Sequence, residues 1–252
     1  MSILKDKVAL VTGSSRGIGA AIARLFAQEG AKVVVHGRDT NAMSSVQAEI
    51  ESGGGKAMCL TADITQFGDI ESMRRQIEEA FGPVDILVAN AGQNLVMPGP
   101  LEEISEEGWH ATVDANLTAT FLTIKGFLPG MKQRKTGNII TISSAAARRP
   151  TARSPIPYTA SKAGIQVMTQ IIAAQAGPFG IRANCITPET ILTERNQQHI
   201  PDEQKQALLD MHPIKRLGTP EDVARTALFL ASEDSSWISG IILDVAGGSV
   251  LA

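Results

Sequence analysis

The segment Tyr158-Thr159-Ala160-Ser161-Lys162 places a phenol and an ammonium four residues apart. On a helix such a pair shares one face, so the two polar ends can meet. A fixed cation beside a phenol favours its ionised form, whose ordinary pKa is about 10, and the spacing therefore predicts a proton carrier usable near neutral pH. Tyr158 is the only tyrosine in the chain. By itself a Y-x-x-x-K pattern is most often plain helix surface. Its weight comes from what lies upstream, where Thr12-Gly13-Ser14-Ser15-Arg16-Gly17-Ile18-Gly19 follows an apolar run and opens a helical stretch. Glycines there allow a tight turn and let backbone N–H groups approach a pyrophosphate at a helix N-terminus, where the macrodipole favours anions.

The elements that must position these residues are legible as an alternation. Lys7–Thr12, Lys32–His36, Lys56–Leu60, Val84–Val88, Asn138–Ser143, Arg182–Thr187 and Ile241–Val245 read as strands, most of them continuously apolar, as in parallel strands covered on both faces. Helical periods lie at Gly17–Glu29, Asn41–Ser52, Phe67–Phe81, Ser105–Met131, Pro157–Ala176 and Pro220–Ala231, with glycine stops at Gly30, Gly53-Gly54-Gly55 and Gly82. Unbroken strand–helix–strand alternation predicts one α/β domain over residues 1–252, with a doubly wound parallel sheet of seven strands. The polar stretch Glu189–Lys215 fits the rhythm least well and is expected to be a lid on the substrate side.

In such a sheet ligands bind beyond the carboxyl ends of the strands. Three further sets of residues fall there. His36-Gly37-Arg38 ends the second strand, where an NAD site usually carries an acid for the ribose 2′-OH. Arg38, with Arg16 as a second cation, suits a 2′-phosphate instead, so NADP is the expected coenzyme and NAD the less favoured one; Asp39 is the feature that argues for restraint. Asp63-Ile64 is placed to hold an adenine ring, or Asp63 caps the next helix. Asn90-Ala91-Gly92 offers small residues under a ribose, or a plain turn.

Composition narrows the function classes. The 252 residues are 43% hydrophobic and 19% charged with a net charge of −3, so no basic surface for nucleic acid or anionic membrane is implied. No apolar run approaches the ~18 residues of a membrane span, and no leader pattern opens the chain, so a soluble cytoplasmic protein is expected. Cys59 and Cys185 sit singly in apolar runs and His36, His110, His199 and His212 are scattered, which gives no support to a metal site.

Thr12–Gly19, Asn90–Gly92, Asn116, Ser143-Ser144, Tyr158-x-x-x-Lys162 and Pro188 together resemble the short-chain dehydrogenase/reductase family, in its single-domain NAD(P)-dependent branch. The likeness runs from about Lys5 to Gly248, and the texture is most similar to 3-oxoacyl-(acyl-carrier-protein) reductases and their relatives acting on sugars, alcohols and ketones. The resemblance implies a Rossmann fold and hydride transfer between a nicotinamide coenzyme and a carbonyl or secondary alcohol. It assigns Tyr158 as general acid/base, Lys162 as the residue that lowers the tyrosine pKa and bonds the nicotinamide ribose, Ser144 as the hydroxyl polarising the substrate oxygen, and Asn116 as part of a water-linked proton relay. Gly13, Ser14, Ser15, Arg16, Gly17, Ile18 and Gly19 would hold the pyrophosphate, and Ile191 and Thr193, after Pro188, would contact the carboxamide.

Several features depart from the family pattern. The Ser144-to-Tyr158 stretch is one residue longer than the commonest spacing, which predicts a bulge in the loop Arg148–Pro157. Ala89 stands where a second Asn is frequent, and Glu189 stands in place of the usual Gly after Pro188. Arg148, Arg149 and Arg153 could receive an anionic substrate or an acidic acyl carrier protein, or be a solvated loop. The resemblance also implies a homotetramer built on the long helices and the C-terminal segment. Three alternatives stay open: a non-catalytic dinucleotide sensor on the same fold, a non-redox relative, and an NAD-dependent sugar or alcohol dehydrogenase of the family.

Overall fold

A computed structural model describes residues 2–199 and 202–251. The strands are β1 (Val8–Val11), β2 (Lys32–His36), β3 (Lys56–Leu60), β4 (Ile86–Ala89), β5 (Gly137–Ile142), β6 (Ile181–Pro188) and β7 (Ile242–Val245). The helices are α1 (Gly17–Gln28), α2 (Thr40–Ser52), α3 (Phe67–Ala80), α4 (Glu106–Val113), α5 (Ala119–Arg134), α6 (Ile156–Ala176), α7 (Glu194–His199), α8 (Asp202–Met211) and α9 (Pro220–Ala231).

The seven strands form one sheet in the order β3-β2-β1-β4-β5-β6-β7, and every pairing is parallel. The doubly wound α/β architecture read from the strand alternation is therefore present. Strand direction of growth reverses between β1 and β4, and the loops after these two strands diverge to opposite faces, which opens a crevice at the carboxyl edge.

Side chains alternate between two cores. Ala9 and Val11 join Ala20, Ile22, Phe26, Val33, Val35, Val223 and Ala227 on the face covered by α1, α2 and α9. Val8 and Leu10 join Ile70, Met73, Ile77, Ile124, Phe127 and Met131 beneath α3 and α5. Central strands β1 and β4 are buried at every residue, which is why their sequences read as unbroken apolar runs. β7 is the sheet edge, and its residues are only partly covered.

The stretch Ser105–Met131, expected as one helix, differs in detail. Ser105 caps α4 by accepting from Gly108 N–H at 3.1 Å. The helix then widens into a π-turn over Asp114–Thr118 before α5 resumes. The expected lid contains α7 and α8, with residues 200 and 201 outside the described residues. No helix among the described residues is long and apolar enough to cross a membrane.

Candidate active site

The glycine loop is fixed from below by buried polar groups. Thr12 Oγ1 accepts the N–H groups of Asn90 and Ala91, each at 3.1 Å, and the Asn90 amide donates to the carbonyls of Thr12 and Gly13 at 2.9 and 3.1 Å. The loop after β1 is thereby tied to the loop after β4. His36, the last residue of β2, closes the other side: Gly13 N–H donates to its Nδ1 at 3.2 Å, and its Nε2 faces the Ala62 carbonyl at 3.1 Å. A donor at one ring nitrogen and an acceptor at the other fix the neutral ring with its proton on Nε2. Burial pushes the His36 pKa down, in keeping with that state.

Space inside the loop is set by glycine. Gly13 has φ +65°, and a Cβ there would lie 2.9 Å from Ala91 Cα; at Gly19 it would lie 2.4 Å from the Gly13 carbonyl oxygen. Gly13 and Ser14 both spend their N–H groups on His36. The N–H groups of Ser15, Arg16, Gly17 and Ile18 make no hydrogen bond among the described residues, and α1 has no capping side chain. An uncapped helix start with free donors fits a pyrophosphate.

Individual candidates fare differently. Ser14 was expected at the pyrophosphate, but its side chain is fully buried; Oγ donates to the Val11 carbonyl and accepts from His36 N–H, so it braces the loop from inside. Arg16 pairs with Asp39 at 2.5 Å, while the other Asp39 oxygen caps α2 at Ala42 N–H. Arg38 is exposed and makes no ion pair among the described residues, which leaves it open to a 2′-phosphate. Asp63 does not cap α3, whose N-cap is Gln66; one of its oxygens accepts from Thr65 N–H and Oγ1, and these bonds hold its carboxyl below the usual range. Ile64 is half-buried against the core beside it. Thr193 reaches back to the glycine loop, where a Cβ on Gly17 would lie 3.2 Å from its Cγ2.

The catalytic candidates converge from β4, β5, the π-turn and α6. Lys162 is buried, and its Nζ donates to the Ile142 carbonyl at 2.9 Å. Burial lowers its pKa to about 8. Asn116, in the π-turn, donates through its amide to the carbonyls of Gln93 and Thr112 at 2.7 and 2.8 Å. Its Oδ1 is buried without a partner among the described residues. A Cβ on Gly92 would lie 2.5 Å from Asn116 Oδ1 and 3.1 Å from Lys162 Nζ, so both groups meet under that glycine. An orphaned acceptor beside a buried ammonium suits a bridging water or a ligand hydroxyl.

The two adjacent serines divide their work. Ser143 is buried, donates to the Lys162 carbonyl at 2.7 Å and accepts from Gln166 at 3.0 Å, so it clamps α6 to β5. Ser144 is half-buried beside the Tyr158 hydroxyl, and its Oγ accepts from Ala146 N–H at 3.2 Å. The added loop length is folded into a 3₁₀ turn at Ala145–Ala147 and a second turn in which Thr151 and Ser154 bond each other.

Tyr158 was expected to have a depressed pKa because of Lys162. Burial instead pushes the phenol up, with the Ser144 hydroxyl pulling the other way. Lys162 Nζ lies 5.6 Å from the tyrosine ring centroid and is bonded to a carbonyl, so in the protein alone desolvation outweighs the cation.

The arginine loop is also less open than its sequence suggested. Arg148 pairs with Asp244 at 3.3 Å and Arg149 donates to the Ser249 carbonyl at 2.9 Å, both in the C-terminal segment. Arg153 alone of the three has no side-chain partner among the described residues. Sequence reasoning named Thr12, His36 and His212 without these roles and did not single out Gln166. Only His212 had a signal, the acidic Glu189 where glycine is usual; its Nε2 lies 2.8 Å from Glu189 Oε2. Among the described residues no group of three or more His, Cys, Asp and Glu side chains could hold a metal ion.

Residues 13–249 match a family model described as enoyl-(acyl carrier protein) reductase. The chain is a short-chain dehydrogenase/reductase, an oxidoreductase of a family that binds a nicotinamide dinucleotide. It is 36% identical over 248 residues to the (2S)-[(R)-hydroxy(phenyl)methyl]succinyl-CoA dehydrogenase subunit BbsD of Thauera aromatica, covering 98% of each chain. It is 39% identical over 250 residues to glucose 1-dehydrogenase 2 of Bacillus subtilis, covering 98% of this chain and 96% of that protein. A 7α-hydroxysteroid dehydrogenase complexed with NADH and 7-oxo glycochenodeoxycholic acid superposes with a TM-score of 0.93 at 36% identity, covering 99% of this chain and 96% of the other. A CoA derivative, a sugar and a bile acid are named among equally close relatives, so likeness fixes the reaction class and leaves the substrate open.

Proposed function

We propose that this chain is an NADP(H)-dependent oxidoreductase that interconverts a carbonyl and a secondary alcohol, with Tyr158 as general acid/base. The observation that carries the reading is the convergence of Tyr158, Ser144, Lys162 and Asn116 around the carboxyl ends of β4 and β5, beside a glycine loop with free N–H donors. When bound, the coenzyme supplies or takes the hydride. Oxygen of a carbonyl gains negative charge as it is reduced, and the Tyr158 and Ser144 hydroxyls are the donors placed to stabilise it. Tyr158 then gives its proton to that oxygen. The raised phenol pKa keeps this proton in place until the charge develops, and Lys162, near 8, stands beside it to refill the site through a water held at Asn116 Oδ1. Ser15 to Ile18 would hold the pyrophosphate, Asp63 the adenine amino group, Asn90 to Gly92 the ribose, and Ile191 and Thr193 the carboxamide.

The NADP preference rests on Arg38, a cation at the end of β2 with no ion pair among the described residues, and on Gly37, where a Cβ would already lie 3.1 Å from Ser15 and where an acid for the 2′-OH would have to stand. The test is a panel of ketones, 3-oxoacyl thioesters and polyols with NADPH and NADH, on the protein and on Arg38→Ala. The expected result is turnover with NADPH and, in the variant, a KM for NADPH raised about tenfold or more with NADH little changed. Equal use of both coenzymes by both proteins would refute the preference. A thioester substrate is the leading member of that panel; an acyl carrier would have to dock without Arg148 and Arg149, which are engaged elsewhere.

The same reading includes a homotetramer in the cytoplasm. Phe121 on α5 and Val167 and Ile171 on α6 are about half exposed, at 48%, 56% and 52%, apolar side chains that a second copy would cover. Light scattering that gives a monomer would refute the assembly, and fractionation tests the location.

A further inference from the structure

The proline that ends β6 is followed by Glu189, and this side chain has a built partner. Its Oε2 accepts from Thr190 N–H and lies 2.8 Å from Nε2 of His212. His212 is 2% exposed, and its Nδ1 lies 2.6 Å from the Leu208 carbonyl on α8. The other side of the ring meets the segment after β7: a Cβ on Gly247, which has φ +56°, would lie 3.2 Å from His212 Cδ2, and one on Gly248 would lie 2.9 Å from Pro213 Cγ. Ile214 N–H donates to the Gly247 carbonyl at 3.0 Å, and Glu189 N–H to the Val245 carbonyl at 3.1 Å. The end of β6, the end of α8 and the double glycine after β7 thus meet on one imidazole.

Competing charges nearby are already matched. Glu189 and His212 share the wall of a cavity of about 420 Å³ with Asp244, Arg216 and Asp222. Asp244 is held by Thr187 and Arg148, and Arg216 pairs with Asp222 at 2.6 Å. From Glu189 the chain runs directly to Ile191, which is buried, and Thr193, which touches the glycine loop. A glycine at 189 would leave that turn free to vary; a glutamate bonded to a buried ring does not.

We propose that Glu189 and His212 are a positioning pair that clamps the turn Pro188–Thr193 to the C-terminal end of the α7–α8 lid and so sets the place of Ile191 and Thr193 for the coenzyme carboxamide. The inference rests on the reading of Ile191 and Thr193 given above. Neither residue of the pair touches the reacting atoms.

The test compares the full chain with Glu189→Gly, Glu189→Gln, His212→Gln and the double variant Glu189→Gly/His212→Gln. NADPH and NADH dissociation constants are read by fluorescence, kcat and substrate KM at saturating coenzyme, and amide hydrogen exchange over 194–211. Glu189→Gly and His212→Gln should each weaken coenzyme binding about tenfold, and the double variant should be no worse than either single one. Glu189→Gln, which keeps an acceptor oxygen for both partners, should recover most of the loss. Exchange over the lid should quicken in both single variants while kcat at saturation stays within about threefold of the parent. Wild-type coenzyme affinity in Glu189→Gly, or losses that multiply in the double variant, would overturn the proposal. If His212→Gln fails to fold, the glycine and glutamine variants at 189 decide between themselves. A parent chain that binds neither coenzyme would instead refute the reading beneath it.

Discussion

Replacing Lys162 by Met should abolish turnover and yet stabilise the protein at neutral pH. Lys162 is buried, and burial lowers its pKa from 10.5 to about 8. The gap of about 2.5 pH units, at 1.36 kcal/mol each, means that holding the ammonium inside costs about 3 kcal/mol below pH 8. Met keeps the unbranched shape without the charge. It loses the 2.9 Å bond to the Ile142 carbonyl, which takes back about 1 kcal/mol. The net gain of about 2 kcal/mol corresponds to a Tm higher by about 5 °C for a chain of this length. The sign follows from linkage: between pH 8 and 10.5 the unfolded lysine holds its proton and the folded one does not, so the parent gains stability as pH rises through this window. The advantage of Lys162→Met must therefore hold at pH 7, shrink as pH rises through 8 and vanish by about pH 10.5. Thermal unfolding of coenzyme-free protein at pH 7, 8, 9 and 10.5 reads it directly. A variant less stable than the parent at pH 7, or an advantage that does not change with pH, would refute the reasoning. Either result would mean that Lys162 is not held as a desolvated cation.

Gly92→Ala should fold, because Gly92 is exposed and has no positive φ, yet lose most activity, since the new methyl would lie 2.5 Å from Asn116 Oδ1 and 3.1 Å from Lys162 Nζ; kinetics beside a melting curve separate the two effects. Ser144→Ala should lower kcat about 10²-fold or more with stability little changed, whereas Ser143→Ala should cost about 1–3 kcal/mol of stability by stranding the Gln166 amide and unclamping α6 from β5. Asp39→Asn keeps an oxygen to cap α2 and releases Arg16; NADPH should bind a few-fold tighter and NADH should not, as measured by fluorescence titration at low salt.

Much of the frame was legible because parallel strands buried on both faces leave an unmistakable mark: Val8–Val11 and Ile86–Ala89 have no solvent-facing residue to interrupt the apolar run. The glycine loop was legible for a similar reason, since Gly13 and Gly19 stand where any side chain would strike backbone. What escaped the sequence depends on partners far along the chain. Arg148 and Arg149 looked like a free basic loop because Asp244 and Ser249 lie nearly a hundred residues on. The Tyr158 pKa was expected to fall on the strength of a lysine one turn away, but a local pair says nothing of how much water the tertiary fold removes, and removal of water decided the direction.

The break at Asp114–Thr118 shows the same limit at finer scale, and it bears on function. Residues that form π-turns are those that form α-helices, so Ser105–Met131 reads as one continuous helix. A π-turn shifts backbone bonding away from the ordinary i+4 pattern, and within it the Asn116 amide donates to the carbonyl of Thr112. A second carbonyl, on Gln93, takes the other amide hydrogen. With both hydrogens committed, Oδ1 has a fixed direction and no partner, next to the place where Lys162 Nζ also ends. The i−4 bond to Thr112 could form on any helix, but the Gln93 carbonyl lies outside it and holds the other amide hydrogen. These two bonds therefore do for Asn116 what burial does for Lys162: they fix a polar group in a state that is satisfied only when something else arrives to meet it.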